Sequence, residues 1–250
     1  MKTIFWDFDA TLGYNEGKWT GTATDLINRE YPDHHVVRDD IRPSMSDGRF
    51  PWHNPEVVHP GQTADDWWAV LMPMLVRAYR KAGVEEDIAA ELAGMFRAEY
   101  LNLETWHVFD DTIPCLSELK DLGWKHYILS NHVPELPDIV EHLGLAPYFE
   151  EVSTSAASGY EKPHPEAYRQ LLRRLPDNST VWMIGDNIKS DILGAEAVGI
   201  PAILVRSKNV DAKYSFLSLS EVARFIENTP CANRLETDLY FTGNSDIMPS

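Results

Sequence analysis

Five short, largely apolar runs limit the architectures open to this chain: Ile4 to Phe8, Tyr127 to Leu129, Glu151 to Thr154, Val181 to Ile184 and Ala202 to Val205. A strand with one wet face alternates apolar and polar residues. Strands buried on both faces read as nearly continuous hydrophobic stretches instead. Helical patterns separate the runs. Thr112 to Leu122 carries Ile113, Leu116, Leu119 and Leu122 at three-residue steps, and Gly123 follows as a stop signal. Pro165 opens a second helix, with Ala167, Tyr168, Leu171, Leu172 and Leu175 on one face. A third, rich in small residues, spans Ser190 to Val198 and ends at Gly199, with Pro201 just beyond. Alternating strands and helices predict an α/β fold, a parallel five-stranded sheet with right-handed crossovers.

One segment breaks the alternation. Tyr31 to Gly61 is loop-like and rich in proline and histidine. Two strongly periodic stretches follow. Trp67, Leu71, Met74, Leu75, Ala78 and Tyr79 share one face, with a kink expected at Pro73, and Ile88, Leu92, Met95, Phe96 and Tyr100 share another. The spacing predicts a helical insert over residues 15–105, carried by a core of residues 1–14 and 106–228. Residues 229–250 have no clear period and read as a loosely packed tail.

The chemistry-bearing residues stand where the apolar runs end. In order they are Asp7-Phe8-Asp9-Ala10-Thr11, Ser130-Asn131, Lys162-Pro163, and Gly185-Asp186 with Asp191. Parallel α/β sheets bind ligands just outside the carboxyl ends of their strands, so these groups are expected to converge. Strand side chains alternate, which projects Asp7 and Asp9 to the same side, about 6.6 Å apart if extended. Neighbouring carboxylates repel unless a cation neutralises them. Mg²⁺ is the expected cofactor, because it takes hard oxygen ligands and keeps sites for water and substrate oxygens. Asp186 supplies a further carboxylate. One carboxylate can then attack phosphorus while the other moves protons. Thr11, Ser130 and the Asn131 backbone N–H can donate to phosphate oxygens, and Lys162 adds a fixed positive charge.

The ordered set DFDAT, LSN, EKPHPE and GDNIKSD resembles the haloacid dehalogenase superfamily, and its phosphatases in particular. The resemblance implies a three-layer αβα Rossmann-like core with a helical cap inserted after the first motif. It also implies roles: Asp7 as nucleophile and metal ligand, and Asp9 as acid/base that binds metal through its backbone carbonyl. Thr11, Ser130, Asn131 and Lys162 match phosphate-contacting positions, Asp186 the metal ligand, and Asp191 a second acidic position behind it. Ala10 departs from the glycine that many members carry. Members that cleave carbon–halogen bonds lack the second aspartate, so Asp9 points to phosphoryl transfer. The phosphonate-cleaving branch uses a cap lysine, and neither Lys18 nor Lys81 stands in a diagnostic context. A phosphomutase and a non-catalytic regulatory protein on the same fold are the alternative readings.

Composition narrows the partners. Of 250 residues, 39 are Asp or Glu and 22 are Lys or Arg, a formal net charge of −17. With no basic face in the sequence, nucleic acid is not an expected partner. A small phosphorylated metabolite is. Cys115 and Cys231 are far apart and lack zinc or disulfide-framework spacing. No apolar run reaches 18 residues and the N-terminus has no signal-peptide pattern, so a cytoplasmic location without membrane attachment is expected. The sequon at Asn178 then has no role. His34, His35, His53 and His59 read as loop or surface residues, Trp52, Trp67, Trp68 and Trp106 mainly as packing residues, and His132 as a neighbour of the phosphate site. The sequence fixes neither the substrate nor the oligomeric state.

Overall fold

The computed structural model describes residues 1–229. The tail expected over 229–250 lies, apart from Thr229, outside the described residues, as does Cys231. A five-stranded parallel sheet forms the centre, in the order β5-β4-β1-β6-β7. Its strands are β1 (Lys2–Trp6), β4 (Trp124–Ser130), β5 (Phe149–Thr154), β6 (Thr180–Gly185) and β7 (Ala202–Leu204). β1 is the central strand, with Trp6 opposite Ile128 of β4 on one side and Ile184 of β6 on the other. From β1 the chain adds β4 and β5 outward in one direction, then crosses back to add β6 and β7 in the other. That reversal opens a crevice at the carboxyl end of β1.

The inner strands are buried on both faces, as the hydrophobic runs of β1, β6 and β7 predicted, whereas the edge strand β5 is buried only at Thr154. Ile4, Trp6, Ile128 and Ile184 pack into one cluster with Leu116 and Leu119 of α5 (Thr112–Asp121) and Val222 and Ile226 of α10 (Leu219–Asn228). Phe5, Leu129 and Met183 point the opposite way, onto Tyr168 and Leu171 of α8 (Pro165–Leu172). Three layers result.

A second, two-stranded antiparallel ribbon pairs β2 (Gly13–Asn15) with β3 (Trp106–Val108). Four helices lie between these strands: α1 (Lys18–Glu30), α2 (Arg38–Met45), α3 (Ala64–Lys81) and α4 (Glu86–Tyr100). Thr63 caps α3 by accepting from the Asp66 N–H, while the Asp66 carboxylate accepts from the Thr63 N–H, both at 3.1 Å. Trp67, Leu71, Leu75, Ala78 and Tyr79 are buried, matching the periodic face.

Local differences from the sequence reading have local causes. The stretch expected to be a loop from Tyr31 to Gly61 contains α2, started by Asp40, whose carboxylate accepts from the Val37 N–H at 2.9 Å. It has too few apolar residues to show a period. α3 continues through Pro73, whose side chain lies on its exposed side. The small-residue helix expected over Ser190 to Val198 is a π-helical turn, Ile188–Leu193, followed by the short α9 (Gly194–Glu196).

Candidate active site

Where β1 ends, the Asp7 N–H continues the ladder by donating to the Ile184 carbonyl at 2.9 Å. Phe8 is fully buried and anchors the next turn, its carbonyl accepting from the N–H groups of Thr11, Leu12 and Gly13. Ala10 closes that turn with φ +56°, a left-handed conformation natural to glycine and strained for alanine. Asp7 and Asp9, on either side of Phe8, both line a cavity of about 460 Å³.

Asp7 Oδ1 accepts two hydrogen bonds, from Ser130 Oγ at 2.8 Å and from Lys162 Nζ at 2.9 Å. Ser130 is the last residue of β4. Lys162 was expected at a strand end, but it follows the short helix α7 (Ser155–Ser158) that comes after β5. Asn131 places it there. Its side chain accepts from the Lys162 N–H at 2.7 Å and donates to the Lys162 carbonyl at 2.8 Å. Lys162 Nζ also donates to Asp191 Oδ1 at 2.6 Å. Burial opposes charge on this lysine, but Asp191 and Asp7 outweigh burial and hold its ammonium well above the ordinary lysine range.

Asp186 follows β6 directly, and Asp7, Asp186 and Asp191 bring one carboxylate oxygen each within 4.8 Å of one another. Gly185 makes this possible, because a Cβ there would run into the Asp191 carboxylate. Burial first, then Asp7 and Asp191, pushes the Asp186 carboxyl up to about 7. Asp191 is raised to about 6 by burial, while Lys162 and the Asn187 N–H, 3.0 Å from Oδ2, favour its ionised form. Three crowded carboxylates with one ammonium between two of them are a donor set that suits a hard divalent cation. Asp9 stands slightly apart. Enclosure and the nearby Asp7 raise its carboxyl to about 7, although 44% of its side chain remains accessible.

The sequence-identified residues therefore divide. Asp7, Asp9, Ser130, Asn131, Lys162 and Asp186 line the cavity, and Asp191 sits buried behind it. Thr11 does not line it; its hydroxyl is buried without a partner, and its carbonyl accepts from Arg206 Nη2 at 2.9 Å. Ser130 and the Asn131 side chain bond protein groups rather than open space. The sequence missed the opposite wall. Lys18, Trp19, Trp52, His53, Trp67 and Tyr100, all from the segment between β2 and β3, line the cavity. Trp67 and Tyr100 are also packing residues, 5% and 2% exposed. Lys81 is elsewhere, 3.8 Å from Asp47. Glu161 and Lys189 also line the cavity without having been singled out, whereas His132, expected beside the phosphate site, is in the lining. The advance signals were the aromatic richness of the segment between β2 and β3 and the place of His132 directly after Asn131.

Among the described residues, no helix is long and apolar enough to cross a membrane. The family model for haloacid dehalogenase-like hydrolases matches residues 1–199. A glyceraldehyde 3-phosphate phosphatase from Methanothermobacter thermautotrophicus is 32% identical over 217 residues, 85% of this chain and 89% of that protein. Haloacid dehalogenase-like hydrolase domain-containing protein 3 from Bos taurus is 31% identical over 147 residues, 58% of this chain; the match spans 57% of that relative's length. The solved HAD phosphatase from Thermococcus onnurineus superposes with a TM-score of 0.60 at 22% identity, over 93% of this chain and 100% of that one. With the parallel sheet and the acidic cluster at its carboxyl end, these matches settle the family: the chain belongs to the haloacid dehalogenase-like hydrolases.

Proposed function

We propose that the protein hydrolyses a small phosphomonoester through an aspartyl-phosphate on Asp7. One observation carries the reading: Ser130 and Lys162 both bind Asp7 Oδ1, and no donor among the described residues reaches Oδ2. One oxygen is fixed and the other is uncommitted, as a positioned nucleophile requires. Asp7 attacks phosphorus, the bond to the alcohol oxygen breaks, and Asp9 gives its proton to that oxygen. Asp9, now ionised, takes a proton from water, and the water oxygen attacks phosphorus to release inorganic phosphate and free Asp7. A carboxyl raised to about 7 can serve in both directions near neutrality. Lys162 remains charged beside the oxygens where negative charge collects.

Asp7, Asp186 and the Asp9 carbonyl are the groups that would hold Mg²⁺, with Asp191 fixed by Lys162 behind them. Bound there, Mg²⁺ offsets the repulsion between Asp7 and an anionic phosphate. Residues 15–105 act as the cap in this reading, since their aromatic wall faces the carboxylates across the cavity. An enclosed site favours a small metabolite over a phosphoprotein. The 32% identical relative named for glyceraldehyde 3-phosphate supports a short sugar phosphate as the class. A cytoplasmic location belongs to the same proposal and rests on the nature of such a substrate.

The test measures inorganic phosphate released from a panel of sugar phosphates and p-nitrophenyl phosphate, with and without Mg²⁺. Release that needs Mg²⁺ and disappears in Asp7→Asn supports the reading. Full activity in Asp7→Asn, or isomer formation without phosphate release, refutes it.

A further inference from the structure

Among the described residues, two histidines are buried, in opposite situations. His126, on β4, has both ring nitrogens occupied: Nδ1 accepts from Trp6 Nε1 at 3.0 Å, and Nε2 donates to the Leu116 carbonyl at 3.1 Å. That is how a buried imidazole satisfies its polar atoms. His132 does not. Its side chain is 1% exposed, yet neither Nδ1 nor Nε2 has a hydrogen-bond partner. An unsatisfied buried polar group costs about 1–3 kcal/mol. An apolar side chain of similar size would fill the space without that penalty.

The ring is held firmly all the same. It meets Phe8 edge-on, with centroids 5.7 Å apart and planes at 89°, and packs against Trp106 at 5.3 Å. Its own backbone N–H donates to Ser155 Oγ at 3.2 Å. So clamped, Nε2 lies 3.5 Å from Asp9 Oδ2, at the cavity wall. Asp9 has no hydrogen bond to its carboxylate from any described residue. Lys18 and Lys162 act on it only through their charge, and both Phe8 and Asp9 belong to the turn that Ala10 strains.

We propose that His132 is a positioning residue for Asp9: its clamped ring, through Nε2–H, holds the Asp9 carboxyl toward the leaving-group oxygen. The inference rests on the phosphatase reading above and adds a residue to it. The 3.5 Å separation is longer than a made hydrogen bond, and contacts of this kind commonly tighten only in the substrate complex. A general acid left free to rotate loses much of its advantage, since proton transfer demands hydrogen-bond reach in a defined direction.

Leaving-group chemistry provides the test. An alkoxide needs the Asp9 proton as it departs, whereas p-nitrophenolate leaves without one. His132→Phe preserves the packing and removes the donor; His132→Gln restores an N–H near the same place. In rapid-mixing experiments with the Mg²⁺-loaded protein, His132→Phe is expected to keep the p-nitrophenol burst within about threefold of wild type. Its phosphorylation by glyceraldehyde 3-phosphate is expected to slow roughly 10²-fold, the low end of what a placed general acid contributes. His132→Gln should recover most of that loss. Equal slowing on both substrates, or a Gln variant no better than Phe, indicates simple packing and overturns the proposal. So does undiminished turnover of the sugar phosphate by either variant. A wild-type protein that releases no phosphate from any substrate overturns the phosphatase reading itself.

Discussion

Lys162 Nζ and Asp191 Oδ1 are 2.6 Å apart, and the two side chains are 1% and 0% exposed. Nothing shields this pair from the low-dielectric interior, and Asp7 shares the same ammonium at 2.9 Å. Removing one partner of a buried ion pair strands a charge, at a cost of about 3–5 kcal/mol. Lys162→Met is therefore expected to lose stability of that order, with phosphate release abolished. Adding Asp191→Asn should return part of the stability and none of the activity. Urea denaturation of the two variants separates the effects, and strictly additive losses would contradict the coupling.

A second, partly buried cluster ties the helices between β2 and β3 to the core beside the sheet. Glu135, just before α6 (Leu136–His142), accepts from Arg97 Nη2 at 2.6 Å and Nε at 3.1 Å, and from Trp68 Nε1 at 3.2 Å. Arg97 lies on α4 and Trp68 on α3. Charge-assisted hydrogen bonds contribute about 1.5–3 kcal/mol, enough to bias how the aromatic wall sits over the carboxylates. Glu135→Ala is expected to raise KM for sugar phosphates about tenfold, the equivalent of about 1.4 kcal/mol. kcat should change less, because no reacting group is touched. Steady-state kinetics with limited proteolysis as a second readout checks this; an unchanged KM would show that the contact is dispensable.

The parts of this protein legible in sequence are those set by short-range rules. The unbroken runs at Ile4 and Val181 reported two-sided burial, and their polar ends marked Asp7 and Asp186 because parallel strands all point their carboxyl ends one way. Lys162 was found by its motif, but its position depends on α7 and on the Asn131 clamp, neither of which has a periodic signature. Thr11 was expected at the phosphate; the turn accepted by the Phe8 carbonyl carries its hydroxyl away from the cavity lining. The ribbon of β2 and β3 is three residues per strand, too short for alternation to register. Lys18 and His53 reach the site only because helices distant in sequence pack over the sheet, a relation no local pattern contains.

Ala10 offers a local test of strain. At φ +56° its methyl group crowds the following carbonyl, a penalty of about 1–2 kcal/mol that glycine does not incur. Glycine gives back about 0.4–1 kcal/mol through greater freedom of the unfolded chain. Ala10→Gly should therefore gain between about 0 and about 1.6 kcal/mol, whereas β-branched Ala10→Val should lose stability. Thermal unfolding measures both. A Gly variant less stable than the parent would mean that the turn is unstrained.

His126 makes stability depend on pH in a defined direction. Its Nδ1 accepts from Trp6 and its Nε2 donates to Leu116, so a second proton on Nδ1 would set two donors against each other. Burial lowers its pKa to about 4, against about 6.5 in the unfolded chain. Between those values the unfolded chain holds a proton that the folded one refuses, so stability falls as pH drops. The contribution is fully present above about 6.5 and lost progressively toward 4; a difference of about 2.5 in pKa corresponds to about 3 kcal/mol. Other acid-sensitive groups, His132 among them, add to the same fall, so the comparison must be with a variant. His126→Gln keeps a donor for the Leu116 carbonyl and cannot titrate. It should be less stable at pH 7, yet lose about 2 kcal/mol less than the parent between pH 7 and 4.5 in urea denaturation. Equal losses in the two proteins would show that this imidazole is not the group refusing the proton.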